Sequence, residues 1–103
     1  MGSSIRLSSQ TLIVLRIFLG LAPKPLSGAM IAREASIGSG TLYPILGRLE
    51  RVGWLAAEWE QIDPEEAARP RQRFYHLTAL GANCAHAELQ RLSLPAGELA
   101  WTS

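Results

Sequence analysis

Residues 39–51 hold the side chains whose types and spacing are best suited to chemistry in this chain. Leu42, Ile45 and Leu49 recur at the i, i+3, i+7 spacing of a helix that buries one face. The opposite face has few acids and carries hydroxyl and guanidinium groups, which donate hydrogen bonds to phosphate oxygens and base edges. The candidate contacts in this helix are Ser39, Gly40, Thr41, Tyr43, Pro44, Arg48 and Arg51.

A shorter helix is predicted immediately upstream, over residues 27–35, and Gly38 lies in the turn that separates the two helices. A short helix, a turn that contains glycine and a longer helix with a polar face form the organisation of a helix-turn-helix. In that motif the second helix enters the major groove of duplex DNA. The helix over residues 39–52, with Ser39 as its expected N-cap, would therefore be a recognition helix.

Further elements are predicted on both sides of this motif. A first helix is expected over residues 9–21, and a last helix over residues 79–92, from their apolar spacing. Two strands are expected at residues 55–61 and 72–77, where aromatic and apolar residues alternate with polar ones. The polar segment between the strands would make them a hairpin, which is the wing of a winged helix-turn-helix.

Three arginines lie at the predicted second strand and its approach. Arg69, Arg71 and Arg73 alternate, so their side chains are expected to share one face. They could form a solvated edge that neutralises Glu58 and Glu60 across the hairpin, or they could grip the DNA backbone or minor groove. Trp59, between those two acids, is expected on the inward face of the wing.

Two stretches resemble the PadR family of transcriptional regulators. Residues 38–50 read Gly-Ser-Gly-Thr-Leu-Tyr-Pro-Ile-Leu-Gly-Arg-Leu-Glu, and residues 69–81 read Arg-Pro-Arg-Gln-Arg-Phe-Tyr-His-Leu-Thr-Ala-Leu-Gly. The first is similar to the recognition-helix signature of the family, and the second to its wing and the exit from it. The two are in the order and spacing of the family, although Ala68 stands where the family usually has glycine.

This resemblance implies an α+β, mostly helical fold, with a winged helix-turn-helix of three helices and a two-stranded wing over residues 1–78. A single dimerisation helix and a tail would follow over residues 79–103, after a core that is already complete. The resemblance also implies a homodimer on a pseudo-palindromic double-stranded DNA operator, usually as a repressor. The expected interface residues on the first and last helices are Leu12, Leu80, Cys84, Ala87 and Leu92.

The distribution of charge supports an alternative function. The net charge is only +1, and residues 52–68 contain five acids and no base, whereas residues 1–51 contain six bases and two acids. An acidic wing repels phosphate and suits a basic protein partner. The alternative is a winged-helix interaction module that modulates another regulator and binds DNA weakly or not at all.

Catalytic, metal and membrane functions find no support in the residues. No lysine-containing glycine-rich phosphate loop occurs, so neither an enzyme nor a cofactor is expected. Cys84 and His86 are two positions apart, so on a helix they point to different sides and cannot bind one metal ion. The single cysteine excludes an internal disulfide, which suits a reducing cytoplasm. The apolar run at residues 11–22 is interrupted by Arg16 and is too short to span a bilayer. Some short PadR-like regulators bind flat aromatic compounds at the dimer interface, so the resemblance also allows a small aromatic effector as a partner here, although the last helix has no aromatic residue to line such a pocket.

Overall fold

The protein is described by a computed structural model that covers residues 7–93. Side chains are described for residues 7–91. Five helices and three strands make up this part of the chain. They are α1 (Ser9–Leu21), β1 (Leu26–Ser27), α2 (Gly28–Ala35), α3 (Ser39–Arg51), β2 (Leu55–Trp59), α4 (Pro64–Ala67), β3 (Arg73–Leu77) and α5 (Ala79–Ser93). The predicted order of helices and strands is confirmed, with β1 and α4 as additions.

The sheet has three antiparallel strands in the order β1-β3-β2. Leu26 of β1 lies opposite Tyr75, and Leu55 of β2 lies opposite Leu77, so β3 is the central strand. Strand β1 has only two residues, too few to show the alternation by which strands are found in a sequence. It joins the helix-turn-helix to the wing, because its partner β3 also pairs with β2.

The core lies among α1, α2, α3, one face of the sheet and the inner face of α5. The predicted apolar stripe of α3 is confirmed, since Leu42, Leu46 and Leu49 are fully buried. The buried apolar side chains are Val14, Leu15, Phe18, Leu26, Ile31, Ile37, Leu42, Ile45, Leu46, Leu49, Trp54, Leu55, Tyr75 and Ala85.

The start of α3 differs from the prediction by one residue. Gly38 is the N-cap and contributes no side-chain hydrogen bond, whereas Ser39 is already in the helix. Ile37 and Leu42 occupy the positions before the cap and four residues into the helix, and both are buried. This is the arrangement of a hydrophobic staple, which fixes where the chain enters a helix. The helix ends at Arg51 with Val52 as its C-cap, and Gly53 follows with a φ of 82°, in the left-handed region that favours glycine.

The wing contains a helical turn where the sequence predicted only a polar loop. Asp63 accepts a hydrogen bond from the Glu65 backbone N–H at 3.0 Å, and Pro64 occupies the first helical position. An Asp cap followed by proline and acids favours a helix start. The turn ends at Ala68, which has a φ of 58°, in the left-handed region that favours glycine.

One side of helix α5 is part of the core of the protein. Thr78 caps the helix, since its hydroxyl accepts from the Gly81 backbone N–H at 2.9 Å and donates to the Gly53 carbonyl oxygen at 2.7 Å. One turn further on, Ala85 is completely buried. The prediction that the core is complete before residue 79 is therefore wrong, because the side of α5 that carries Ala85 packs on the core beside α1.

Candidate nucleic-acid interface

Helix α3 presents a continuous polar face. All seven predicted contacts in this helix are exposed. Thr41, Pro44, Arg48 and Arg51 follow at the i, i+3, i+7, i+10 spacing that places residues on one side of a helix. The other side of the helix carries the buried apolar stripe. The structure thus brings together on one surface the α3 residues that the sequence singled out.

The N-terminus of α3 is open. Gly38 supplies no side-chain acceptor, and the first turn contains no acid. The first N–H groups of a helix have no intrahelical acceptor, so those of Ser39 and Gly40 are available to an anion. A side chain at Gly40 would meet nothing within 4 Å, which leaves room for another molecule to approach the backbone.

Tyr43 lies at the edge of this surface, and its ring also packs on the neighbouring helix, which its position in the sequence did not indicate. It is off the buried stripe, as predicted, and 47% of its surface is exposed. Its ring, however, lies against the first residue of α2. A Cβ placed on Gly28 would be 2.7 Å from Tyr43 Cζ, so in this position the ring packs directly against the glycine. Tyr43 therefore braces the two helices of the motif against each other.

The three wing arginines do not share a strand face. Only Arg73 lies in β3, whereas Arg69 and Arg71 precede it. Arg71 donates from Nε to the Ile62 carbonyl oxygen at 3.0 Å, and among residues 7–91 it forms no ion pair. The two other arginines are bound to carboxylates. Of the predicted wing contacts, Arg71 is therefore the arginine whose charge is not neutralised by any carboxylate in the described part of the chain.

Arg69 closes the base of the wing loop through Glu60. The two guanidinium nitrogens donate to the two carboxylate oxygens, each at 2.8 Å, and the Gln72 backbone N–H donates to the same carboxylate at 3.1 Å. The hydrogen bonds from Arg69 are the largest cause that lowers the pKa of Glu60 from 4.5 to about 2. The predicted neutralisation across the hairpin is thus confirmed for Glu60 but not for Glu58.

Acidification is expected to release this ion pair only far below neutral pH. Because the folded-state pKa of Glu60 is lowered, its stabilising contribution is complete above about pH 4.5 and is lost as the pH falls towards about 2. In a carboxyl-carbon NMR titration, Glu60 should have a midpoint near pH 2. Arg69→Ala should return that midpoint towards 4.5. A wild-type midpoint already at 4.5 would show that the pair does not form in solution.

Trp59 lies on the predicted face of the hairpin but is not buried there. It shares a face with Leu55 and Ala57, yet it is 55% exposed while Leu55 is 2% exposed. Burial thus decreases along this face of β2, and the Trp59 ring is contacted by the Arg73 guanidinium group, 5.1 Å from the ring centre, rather than enclosed by apolar side chains. Trp54, the residue before β2, is buried in the core.

The residues expected at a dimer interface have mixed burial in the protomer. Leu80, Cys84 and Ala87 follow at the i, i+4, i+7 spacing on one side of α5, where Leu80 is 53% exposed and Ala87 is also exposed. Cys84 is half-buried, as is Leu12 on α1. The Leu92 side chain lies outside the described residues. The interface itself stays a prediction.

The described residues contain neither a membrane-spanning helix nor a cluster of potential metal ligands. Between residues 7 and 93 no helix is long and apolar enough to cross a membrane. No group of three or more potential metal-ligating His, Cys, Asp or Glu residues is found in that range. An open pocket of about 340 Å³ lies beside the wing. Its lining residues are Lys24, Pro25, Glu58, Trp59, Glu60, Gln61 and Phe74.

The helix-turn-helix, the strand pair and the exposed helix face together define a winged helix-turn-helix. The sequence pattern of the transcriptional regulator PadR-like family matches residues 26–87. The chain belongs to this family, whose members are transcriptional regulators and generally not enzymes. No curated protein matches the chain.

Solved structures of bacterial regulators have a similar fold. AbfR of Staphylococcus epidermidis is 27% identical, with a TM-score of 0.62 over 79% of this chain and 50% of its own. Reduced AbfR bound to DNA is 28% identical, with a TM-score of 0.67 over 84% of this chain and 58% of its own. MepR of S. aureus in its DNA-binding conformation is 15% identical, with a TM-score of 0.73 over 94% and 66%. The chain thus spans half to two thirds of the length of these proteins.

Proposed function

We propose that this chain is a sequence-specific DNA-binding transcriptional regulator that places α3 in the major groove. The observation that carries the proposal is the exposed face of α3, where Thr41, Pro44, Arg48 and Arg51 lie in one line above a fully buried stripe. A helix held rigidly on one side and polar on the other is what major-groove recognition requires. The DNA-bound structure of AbfR supports duplex DNA as the partner of this fold.

Each part of this face has a role in the proposal. The open N–H groups at Ser39 and Gly40 bind a backbone phosphate. The hydroxyl groups of Thr41 and Tyr43 bind phosphate or base edges, and the position of Tyr43 is fixed by its contact with Gly28. Further along the helix, the two arginines reach phosphates.

The wing supplies a second contact in the proposal. Arg71 lies beyond the Arg69–Glu60 pair, in the segment that leads from the wing loop into β3. Its Nε is held by the Ile62 carbonyl, which fixes the guanidinium group while leaving its charge unpaired among the described residues. A fixed, uncompensated arginine at a wing suits the DNA backbone or minor groove.

Two copies of the chain would act together on a pseudo-palindromic operator. The exposed apolar side of α5 supports this, because Leu80 and Ala87 are left uncovered in the protomer. A two-fold pair buries the same surface on both copies and spaces the two recognition helices by about one helical turn. Repression would follow where such an operator overlaps a promoter.

The proposal is tested by selecting duplexes from a random library with the purified chain. The selected duplex and a scrambled duplex are then titrated at roughly 50 and 200 mM salt. A regulator should enrich an inverted repeat and bind it at least about a thousandfold more tightly than the scrambled duplex. Equal affinity for both duplexes, or no enrichment, would contradict the proposal.

Arg71→Gln should weaken binding to both duplexes by a similar factor. A phosphate contact carries no sequence information, so its loss should also lower the slope of log affinity against log salt by about one unit. The matched control is Arg91→Gln on α5, since that guanidinium is paired with Glu88 and lies outside the proposed DNA-binding surface, so the slope should stay unchanged. An unchanged slope for Arg71→Gln would show that Arg71 is only a solvated wing residue.

The acidic wing favours one alternative function, a protein-interaction module. Glu58, Glu65 and Glu66 are exposed, and among the described residues they form no ion pair. This surface repels DNA phosphates and would attract a basic protein segment. The same titration separates the two functions, because an interaction module should enrich no duplex and bind weakly at both salt concentrations.

A further inference from the structure

A polar and aromatic cluster joins the wing to the last turn of the recognition helix. The Arg73 cluster, as we call it, consists of Glu50, Trp59, Arg73 and Tyr75. Arg73 Nη2 donates to Glu50 Oε2 at 2.9 Å, and its guanidinium carbon lies 5.1 Å from the centre of the Trp59 ring. Within about 6 Å such a contact is a favourable cation–π interaction.

The cluster is anchored in the core by Tyr75. This residue is 6% exposed and is the next residue on the same face of β3 as Arg73. Burial raises the pKa of the Tyr75 phenol, the positive charge of Arg73 opposes this, and the charge of Glu50 adds to it. The phenol therefore stays neutral, and all three groups lie within electrostatic reach of one another.

The position of Glu50 is unfavourable unless Arg73 is considered. It is the next-to-last residue of α3, where the negative end of the helix dipole disfavours an acid. In a DNA complex its negative charge would also be repelled by the phosphates of the duplex. The Glu50 carboxylate is therefore expected both to destabilise the end of α3 and to weaken DNA binding. Its ion pair with Arg73, which is 23 residues distant, is the feature of the structure that accounts for it.

Arg73 occupies the place where the wing leaves the sheet. It is the first residue of β3, and it lies directly opposite Trp59, the last residue of β2. The guanidinium group therefore contacts both wing strands and α3 at once. Lysine could not reproduce this, since it lacks the planar group that stacks on an indole while donating sideways to a carboxylate. The wing loop and Arg71 lie beyond the Arg73 cluster in the hairpin.

We propose that Arg73 is a positioning residue that locks the wing to the recognition helix through Glu50 and Trp59, and so fixes the spacing of the two DNA-contacting elements. This rests on the proposed DNA-binding function. Arg73 was expected from the sequence to contact DNA directly, and the two roles predict opposite effects for Glu50. If Arg73 binds phosphate, removing the Glu50 charge frees Arg73 and removes a repulsion, so DNA binding should tighten. If Arg73 positions the wing, the same change should weaken binding.

The experiment compares Glu50→Gln with the wild type, using the duplex selected by the wild type and a scrambled duplex of equal length. Glu50→Gln should weaken binding to the selected duplex by about fivefold and change binding to the scrambled duplex little. The control is Glu58→Gln, which removes an exposed carboxylate that is unpaired among residues 7–91, and should leave binding unchanged or slightly tighter. Tighter binding by both variants would overturn the positioning role.

A second measurement needs no DNA. Amide hydrogen exchange over residues 60–72 of the free chain should accelerate in Glu50→Gln and in Arg73→Lys, while exchange in the core of α1 stays unchanged. Unchanged exchange in the wing would overturn the proposed lock even if DNA binding fell. A wild type that selects no duplex would instead refute the proposed function, and the exchange rates would still decide whether the Arg73 cluster holds the wing.

Discussion

Gly81→Ala is expected to lower the free energy of unfolding by about 3 kcal/mol, because it forces a methyl group into a backbone contact. The added Cβ would lie 2.7 Å from the Trp54 carbonyl carbon and 2.8 Å from its Cα atom. No rotamer change can relieve this overlap, because the atoms it meets belong to the main chain. The same stretch is also tied down by Thr78, whose backbone N–H donates to the Trp54 carbonyl oxygen at 3.0 Å.

Urea-induced unfolding would measure this loss, with Gly20→Ala as the matched control. Gly20 is also helical, but a Cβ there meets nothing within 4 Å, so the variant should be more stable by about 0.5–1 kcal/mol. If the free energy of unfolding falls in Gly81→Ala and rises in Gly20→Ala, the loss at Gly81 is due to the packing of α5 on the Trp54 backbone and not to helix propensity. Equal changes in both variants would contradict the packing described here.

Features that depend on neighbours in the sequence were predictable. The stripe of Leu42, Ile45 and Leu49 fixed both the existence of α3 and its buried side, because helical periodicity is a local property. The alternation around the wing likewise predicted both strands, although the structure ends the first at Trp59 and begins the second at Arg73. The exposure of the proposed DNA contacts on α3 followed directly, since these residues lie outside its apolar stripe.

Features that depend on distant partners were not predictable in this way. The alternation of the three wing arginines suggested one shared role, but each has a different environment, set by residues that are nine to 23 positions away. Glu60 and Glu50 could have been suspected as partners from their charge, yet nothing in the sequence assigns one arginine to each. The burial of Ala85 was missed for a similar reason, because alanine gives no apolar signal strong enough to mark a core contact.

Ala68 shows how a departure from a family pattern can be explained by geometry. The family usually has glycine at this position, and the structure places Ala68 at a φ of 58°. An L-residue in the left-handed region costs about 1 kcal/mol or more relative to glycine. The preceding turn, capped by Asp63, and the Arg69–Glu60 pair on its other side are the contacts that hold the chain in this conformation.

The interface proposed for α5 leads to the second large effect, for Ala87→Glu. Ala87 is exposed in the protomer, so the glutamate should leave the fold intact. In a two-fold pair, however, the two new charges would be brought close together within an apolar surface that includes Leu80. Like charges in such a contact cost several kcal/mol, which should weaken the dimer by roughly a hundredfold or more.

Removing α5 would not test this interface, because Ala85 on its other side is part of the core. The better control is His86→Glu, which adds the same charge to an exposed position about 100° further around the helix. Light scattering at tens of micromolar should show a monomer for Ala87→Glu and a dimer for both the wild type and His86→Glu. Binding to the inverted repeat should fall with the dimer, because each monomer then engages one half-site without the gain from linking two. A wild type that is monomeric at that concentration would refute both the interface and the two-fold operator, whereas a dimeric Ala87→Glu would move the interface to another surface.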